Sequence, residues 1–338
     1  MTKSDDLQGD STMRQRSRAA GDSHQRKRKA SGSGDSEVLI RADHLPHLPS
    51  FLICLYVLLL VVMASTSLYF SQWLPDSVVH DDPNGFKVSN ARQHLDDITA
   101  LGFRHVGSEA NEVHAKRLLI EKLEAIKSSA SDKVEIEILV QEASGHYYLS
   151  FLSGMTHLYQ NITNIIARFH KRGTSPNHAF MINAHYDSAL GSPAASDDAV
   201  SCSTMLETLR AVSSEPHPLL GDHALIFLFN GAEETVLQAS HAFVTQHPWA
   251  KQIKGFLNLD AAGAGGREIV FQTGPDHPWL VWMYAKVVPH PHASVVAQEV
   301  FQSGIIPSDT DFRIFRDYGH FPGIDTAYFI NGYVYHTQ

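Results

Sequence analysis

The sequence predicts an α/β protein: a three-layer α/β/α sandwich on a mixed, largely parallel central sheet, preceded by one transmembrane helix. Three observations predict it. From about residue 86 onward, short apolar runs bounded by turn residues alternate with stretches of helical period, as strands and helices do when they take turns along a chain. Acidic residues and histidines cluster where several of those apolar runs end. One uncharged stretch, Phe51 to Phe70, has about the length that crosses a bilayer.

The chain has 338 residues, 43% hydrophobic and 19% charged. That suffices for one large globular domain with attachments. The net charge of −9 is unevenly spread. Residues 1–48 carry Arg14, Arg16, Arg18, Arg26, Lys27, Arg28 and Lys29 among Ser, Gly and Asp, the composition of a disordered head. The run Arg26-Lys27-Arg28-Lys29 has the look of a nucleic-acid or nuclear-import patch. It lacks interleaved aromatics and abuts the apolar stretch, so a topology signal is the better reading and no nucleic-acid partner is expected.

Residues 49–72 follow as the transmembrane helix. A cleaved signal peptide would start nearer the N-terminus and have a shorter core. Lys and Arg concentrate before the span, so the positive-inside rule puts the head in the cytoplasm and everything after Trp73 on the lumenal or extracellular side. The tripeptide Asn161-Ile162-Thr163, an acceptor sequon for N-glycosylation, agrees with that side. Cys54 and Cys202 are the only cysteines, and Cys54 lies in the span. A disulfide within the lumenal part is therefore excluded, and its stability falls to core and metal.

After a linker over 73–85, the folded domain occupies 86–338. Residues 86–102 and 109–127 read as helices, the second with Val113, Leu118, Leu119, Leu123 and Ile126 at helical spacing. Val134-Glu135-Ile136-Glu137-Ile138 alternates like a strand with one polar face. Further strands are expected at Ile162–Phe169, Ala179–Ala184, Ala224–Phe229, Gly255–Leu259, Glu268–Gln272 and Ala327–Ile330. Helical stretches at about 199–213, 236–246, 277–288 and 309–316 lie between them.

The apolar run 224–229 reads as a buried strand, and Asn230-Gly231-Ala232-Glu233-Glu234 follows it directly. Two carboxylates would emerge at the carboxyl end of that strand, the edge where open α/β sheets build their sites. Glu-Glu in a solvated loop is common, and the pair gains weight from its company. The strand 179–184 ends in His185-Tyr186-Asp187, where His185 can bind a metal and Asp187 can accept the other imidazole N–H. Ser196-Asp197-Asp198-Ala199 opens a helix, although an N-cap explains an Asp there equally well. The strand 255–259 ends in Asp260, and the last strand is followed by Asn331-Gly332-Tyr333-Val334-Tyr335-His336. Hard oxygen ligands mixed with imidazole, without thiolate, suit zinc, or less well manganese or cobalt. The donors exceed what one tetrahedral ion needs, so two ions sharing a bridging carboxylate are the economical solution. One glutamate of the pair then binds metal and the other stays free; spacing alone leaves open which.

The order His-x-Asp, Asp-Asp, Glu-Glu, Asp, His resembles the co-catalytic zinc aminopeptidases, a group that includes bacterial leucyl aminopeptidases and the glutamate carboxypeptidase II type. Its membrane-bound endoplasmic reticulum branch is the closer likeness, carried by residues 196–202, 227–234 and Ser303-Gly304-Ile305-Ile306-Pro307-Ser308-Asp309-Thr310-Asp311-Phe312. The likeness runs from about residue 86 to the end. It implies a zinc-peptidase fold with two Zn2+ ions: His185 and Asp260 on the first, Glu234 and His336 on the second, and Asp197 bridging. It implies Asp187 as the partner of His185, Asp198 after the bridge across a strained peptide bond, and Glu233 as general base. A peptide substrate, exopeptidase action and an endoplasmic reticulum membrane with the catalytic domain lumenal follow from the same resemblance. Tyr335, Asp309, Asp311 and Arg313 are pocket candidates, although a helix cap and salt links explain the last three as well.

Two departures and two rivals belong beside this. The chain stops at Gln338, two residues after His336, whereas relatives continue, so a C-terminally truncated domain is expected. Asp260 stands where members of the endoplasmic reticulum branch can carry Glu, and Asp fits the wider family. A glutaminyl-cyclase-like acyltransferase would hold one zinc through Asp197, Glu234 and His336; His185 with Asp187 argues for two. A non-catalytic receptor-like ectodomain on the same fold would have lost ligands, and this chain keeps them.

Overall fold

The computed structural model describes residues 49–75, 81–82, 85–150, 154–214, 221–306 and 308–337. The basic head and much of the linker lie outside the described residues. Contacts divide the chain into two compact units, Met1–Val61 and Val62–Gln338. The boundary falls inside helix α1 (Ser50–Gln72), 23 residues without a charge and without a buried side chain. It is long and apolar enough to cross a membrane.

The second unit is built on a seven-stranded sheet of order β1-β2-β4-β3-β5-β7-β6. The strands are β1 (Val134–Leu149), β2 (Met155–Lys171), β3 (His178–His185), β4 (His223–Asn230), β5 (Ile253–Ala261), β6 (Ile269–Gly274) and β7 (Gly323–Tyr328). The centre, β4-β3-β5-β7, is parallel, and β1, β2 and β6 join antiparallel at the flanks. The sheet is thus mixed, as expected, with its parallel part confined to the strands that carry the site.

Helices cover both faces. On one, α2 (Val88–Thr99), α3 (Lys116–Ser129) and α4 (Val200–Ser214) pack Ile98, Leu119, Leu123, Met205 and Leu206 against Ile165, Phe227 and Phe229. On the other, α5 (Gln238–Gln246) and α8 (Asp311–Asp317) bring Phe243, Phe312 and Phe315 onto Met181, Ile226, Leu228 and Phe256. Alternate residues of β4 therefore serve opposite layers, which is why its sequence reads as a continuous apolar run. Two more helices, α6 (Trp279–Val287) and α7 (Val295–Gln302), lie beyond β6.

The structure corrects the last strand. Ala327–Ile330 was expected to be extended, but β7 runs Gly323–Tyr328, and residues 331–336 form turns. The apolar pattern misleads because β7 contains a buried polar residue. Asp325 accepts hydrogen bonds from Asn258 Nδ2 (2.9 Å), Gln272 Nε2 (3.1 Å) and Thr310 Oγ1 (2.5 Å). A Cβ on Gly323 would lie 2.2 Å from the Phe256 ring, so the strand can start there only as glycine. Helix α7 has no counterpart among the expected elements, and β1 and β2 extend into a long hairpin beyond their expected ends.

Candidate metal centre and active site

Three parallel strands end side by side at the site. β3 ends in His185, β4 ends in Asn230 just before Glu233 and Glu234, and β5 delivers Asp260. The turn Ala195–Ala199, which opens α4, brings Asp197; its peptide bond to Asp198 is cis. His336 comes from the turns after β7. That segment lies against residues 262–265, with Ala262 N donating to Tyr328 O and Ala264 N to Ile330 O, both at 2.8 Å. A Cβ on Gly263 would stand 2.5 Å from Ile330 O, and one on Gly332 2.8 Å from Ala262 O. The approach that delivers His336 therefore depends on glycine at both positions.

Two acid–imidazole triads share Asp197. His185, Asp197 and Asp260 form one, Asp197, Glu234 and His336 the other, and within each the donor atoms lie within 4.8 Å of one another. His185 Nε2 is 3.0 Å from Asp197 Oδ1 and 3.8 Å from Asp260 Oδ1. His336 Nε2 is 2.7 Å from Asp197 Oδ2 and 3.4 Å from Glu234 Oε1. Each oxygen of Asp197 thus faces a different imidazole. On its other side, His185 Nδ1 lies 3.4 Å from Asp187 Oδ1. Asp187 is fully buried and accepts from the backbone N–H groups of Glu233 and Glu234, both at 3.1 Å. One carboxylate thereby sets the pose of an imidazole and of both glutamates.

The electrostatics are those of a crowded anion site. Burial pushes Glu233 well above the usual carboxylate range, reinforced by Asp260, Asp311 and Glu234 nearby. Burial likewise raises Glu234, Asp260 and Asp198. Burial opposes charge on His185, yet Asp187, Asp197 and Asp260 hold its pKa well above that of a free imidazole. Hydrogen bonds to Asp197 and Glu234 push His336 up to about 10. Asp197 is lowered despite its burial, because both imidazoles donate to it. In the protein alone, protons on the histidines balance these carboxylates; divalent cations do the same while releasing those protons. The donor set fits such ions: imidazole nitrogens and hard carboxylate oxygens, with Glu234 Oε1 turned toward His336 Nε2 at 3.4 Å.

A cleft of about 390 Å³ opens over the triads. Asp197, Glu233, Glu234, Asp260, Tyr335 and His336 line its polar side, and Val236, Phe271, Phe301, Ile306 and Phe329 its apolar side. The Tyr335 and His336 rings are 3.9 Å apart. Asp309 also lines the cleft, accepting from Gln272 Nε2 and paired with Arg313, each at 3.0 Å. Asp311 does not: it is buried beneath the site and accepts from Asn183 Nδ2 (2.9 Å) and Asn230 Nδ2 (2.6 Å). Arg313 stands outside the cleft, toward Ser150.

Sequence reasoning missed the supports. Arg104 is fully buried, and its guanidinium donates to the carbonyls of Ile98, Gly102, Tyr186, Pro193 and Ala194, bracing the loop between His185 and Asp197. Burial lowers its pKa to about 10. A lone arginine carries no sequence signal for such a role. Tyr147 likewise donates its hydroxyl to Val236 O, in the turn after Glu234. Val236 (φ 76°) and Leu237 (φ 68°) are both left-handed there, which is costly for a β-branched residue.

Sheet topology and site together define an α/β domain that gathers acid and imidazole donors at the carboxyl ends of its parallel strands. Residues 164–338 match the family model of peptidase family M28, and the chain belongs to that family. It is 54% identical over 253 residues to human endoplasmic reticulum metallopeptidase 1, covering 75% of this chain and 28% of that protein. The chain thus spans little more than a quarter of that relative. Among solved structures it is similar to the Legionella pneumophila LapA aminopeptidase, with TM-score 0.54 and 16% identity, over 78% of this chain and 70% of that one. It is similar also to a Bacteroides thetaiotaomicron glutaminyl cyclase, with TM-score 0.51 and 17% identity, over 71% and 84% of the respective chains. At such identities the likeness is one of fold.

Proposed function

We propose that this chain is a membrane-anchored, zinc-dependent exopeptidase of the aminopeptidase kind, with Glu233 as general base. The carrying observation is the pair of triads sharing Asp197, with Glu233 in the same cleft. His185 and Asp260 would hold one zinc ion, Glu234 and His336 the other, and Asp197 would bridge them. Bound there, the ions would supply Lewis acidity for a water, whose pKa such sites bring toward about 7, and for the scissile carbonyl. Glu233 then takes the proton of the attacking water on its carboxylate and passes it to the leaving amine. Asp187 keeps Glu233 aimed through the Glu233 N–H and keeps His185 oriented. The apolar wall of Phe271, Phe301 and Phe329 excludes bulk water and receives an apolar side chain of the peptide.

The anchor is α1, and the relatives' names support the endoplasmic reticulum membrane as its site. With the head cytoplasmic by the positive-inside rule, the peptidase domain is lumenal. Approach of both imidazoles to Asp197 favours two ions over a single-zinc acyltransferase arrangement.

The deciding experiment pairs zinc analysis of the full chain with Glu233→Gln on a panel of aminoacyl and peptide substrates. Two zinc ions per chain are expected in both proteins, with turnover in the variant down by about 10²–10⁴-fold. One zinc, or unaltered turnover in the variant, overturns this reading.

A further inference from the structure

Helix α6 is an unusual helix for the outside of a folded unit. In the sequence Trp279-Leu280-Val281-Trp282-Met283-Tyr284-Ala285-Lys286-Val287 only Lys286 is charged, and only Leu280 is buried. Trp279, Trp282, Met283 and Val287 on α6, with Val295 and Val296 at the start of α7, are 41–74% exposed. Exposed apolar side chains gathered on two successive helices in this way mark a contact made with something else.

The neighbouring contacts say with what. Trp73, the first residue after α1, lies in the same compact unit as α6 and α7. Its ring meets the His290 ring edge-on at 5.3 Å, and the Arg267 guanidinium lies over it at 5.5 Å. Arg267 NH2 in turn donates to His290 O (2.6 Å) and Pro291 O (3.0 Å). The same connection is tied back to the fold, because Tyr284 Oη donates to His292 O (3.1 Å) and Val270 N to that same oxygen (2.9 Å). Trp73 is thus packed on the link between α6 and α7. Val287 stands three residues before His290 and Val295 five after, so both are within roughly 10–18 Å of His290, the residue against which the end of α1 is packed through Trp73. The composition suits the place. Trp collects at membrane interfaces, and Lys286, 4.7 Å above the Trp282 ring, can reach a phosphate while its stem stays on apolar surface.

We propose that the exposed face of α6 and the first turn of α7 lies in the headgroup layer of the bilayer that α1 enters, a second attachment beside the anchor. The proposal rests on reading α1 as a membrane span. Its consequence is a peptidase domain held in one orientation on the membrane, not swinging from a flexible stalk.

Fluorescence of the full chain in phosphatidylcholine vesicles tests it. The chain has four tryptophans, Trp73, Trp249, Trp279 and Trp282; Trp249 is in the core and serves as an unquenched reference. Lipid brominated in its acyl chains quenches an indole that reaches the headgroup–acyl boundary. In a Trp73→Phe chain, about half of the emission is expected to be lost on changing from plain to brominated lipid, since an interfacial helix buries its apolar face about 5–10 Å. Val287→Asp with Val296→Asp, at exposed positions that do not contribute to the core, should recover most of that loss. Unquenched emission from the Trp73→Phe chain, beside quenched Trp73 in a Trp279→Phe, Trp282→Phe chain, overturns the proposal and leaves the anchor standing. The same pattern with concentration-dependent cross-linking through α6 overturns it in favour of a second copy of this chain. A chain that does not float with the vesicles overturns the anchor and the proposal together.

Discussion

Asp187 concentrates more of the site's geometry than any ligand candidate does. It orients His185 and receives both glutamate N–H groups, so its loss acts on the proposed metal donors and on the proposed base at once. Asp187→Ala is therefore expected to weaken zinc binding by about 10–100-fold, read by competition with a chelator, and to lower turnover further at saturating zinc. Glu233→Gln should leave that competition unchanged, which separates the two carboxylates by role. At this scale the sequence was legible where a residue carries an unusual functional group at a strand end. His185, Asp197, the Glu233-Glu234 pair, Asp260 and His336 stood out as such clusters, the family resemblance chose Glu234 from the pair, and the fold brings His185, Asp197, Glu234, Asp260 and His336 together. Arg104 and Tyr147 were illegible, because ordinary hydrogen bonds to backbone carbonyls define what they do, and so was Asn230, whose amide meets Asp311 only after folding.

Among the elements, the turn 233–237 and the β1–β2 hairpin matter most to the site. Tyr147, on β1, holds a backbone segment that would otherwise relax out of the left-handed region. Tyr147→Phe leaves Val236 O without that donor and should cost about 1–3 kcal/mol, measured by denaturant titration, together with a fall in kcat larger than any change in KM. The layer of α5 contributes a pH dependence of its own. Burial lowers His241 and His247 from 6.5 to about 4 in the folded state. Both are neutral in the native protein, so unfolded chains bind more protons between these values. The stability they contribute is full above about pH 6.5 and is lost as pH falls toward 4. The melting temperature should drop across that window, and His241→Gln should flatten the drop. Strands β3, β4 and β5 were readable as buried runs. β7 was not, because Asp325 interrupts its pattern and finds Asn258, Gln272 and Thr310 only after folding.

For the whole molecule, α1 makes topology the first question. Asn161 is exposed on β2, at the bulge opposite Ser144, and its N–H donates to Ser144 Oγ at 3.0 Å. If the peptidase domain is lumenal, the sequon there should carry a glycan. Membranes from expressing cells are expected to yield a chain whose mobility shifts with an endoglycosidase and no longer does so as Asn161→Gln. An intact, unshifted chain would put the domain on the other face.

By itself, the sequence determined the α/β class, the apolar span and the identity of the acid and imidazole clusters. Each of these is written in local composition: a period, a run of apolar residues, or a functional group next to a strand end. Only the tertiary structure decided that Asp197 stands between two imidazoles, that Asp187 reaches both glutamates, and that Asp311 lies beneath the cleft and not in it. The physical reason is distance along the chain. His336 and Asp197 are 139 residues apart in sequence and 2.7 Å apart in space. Local pattern carries no information about a contact that sheet order alone creates.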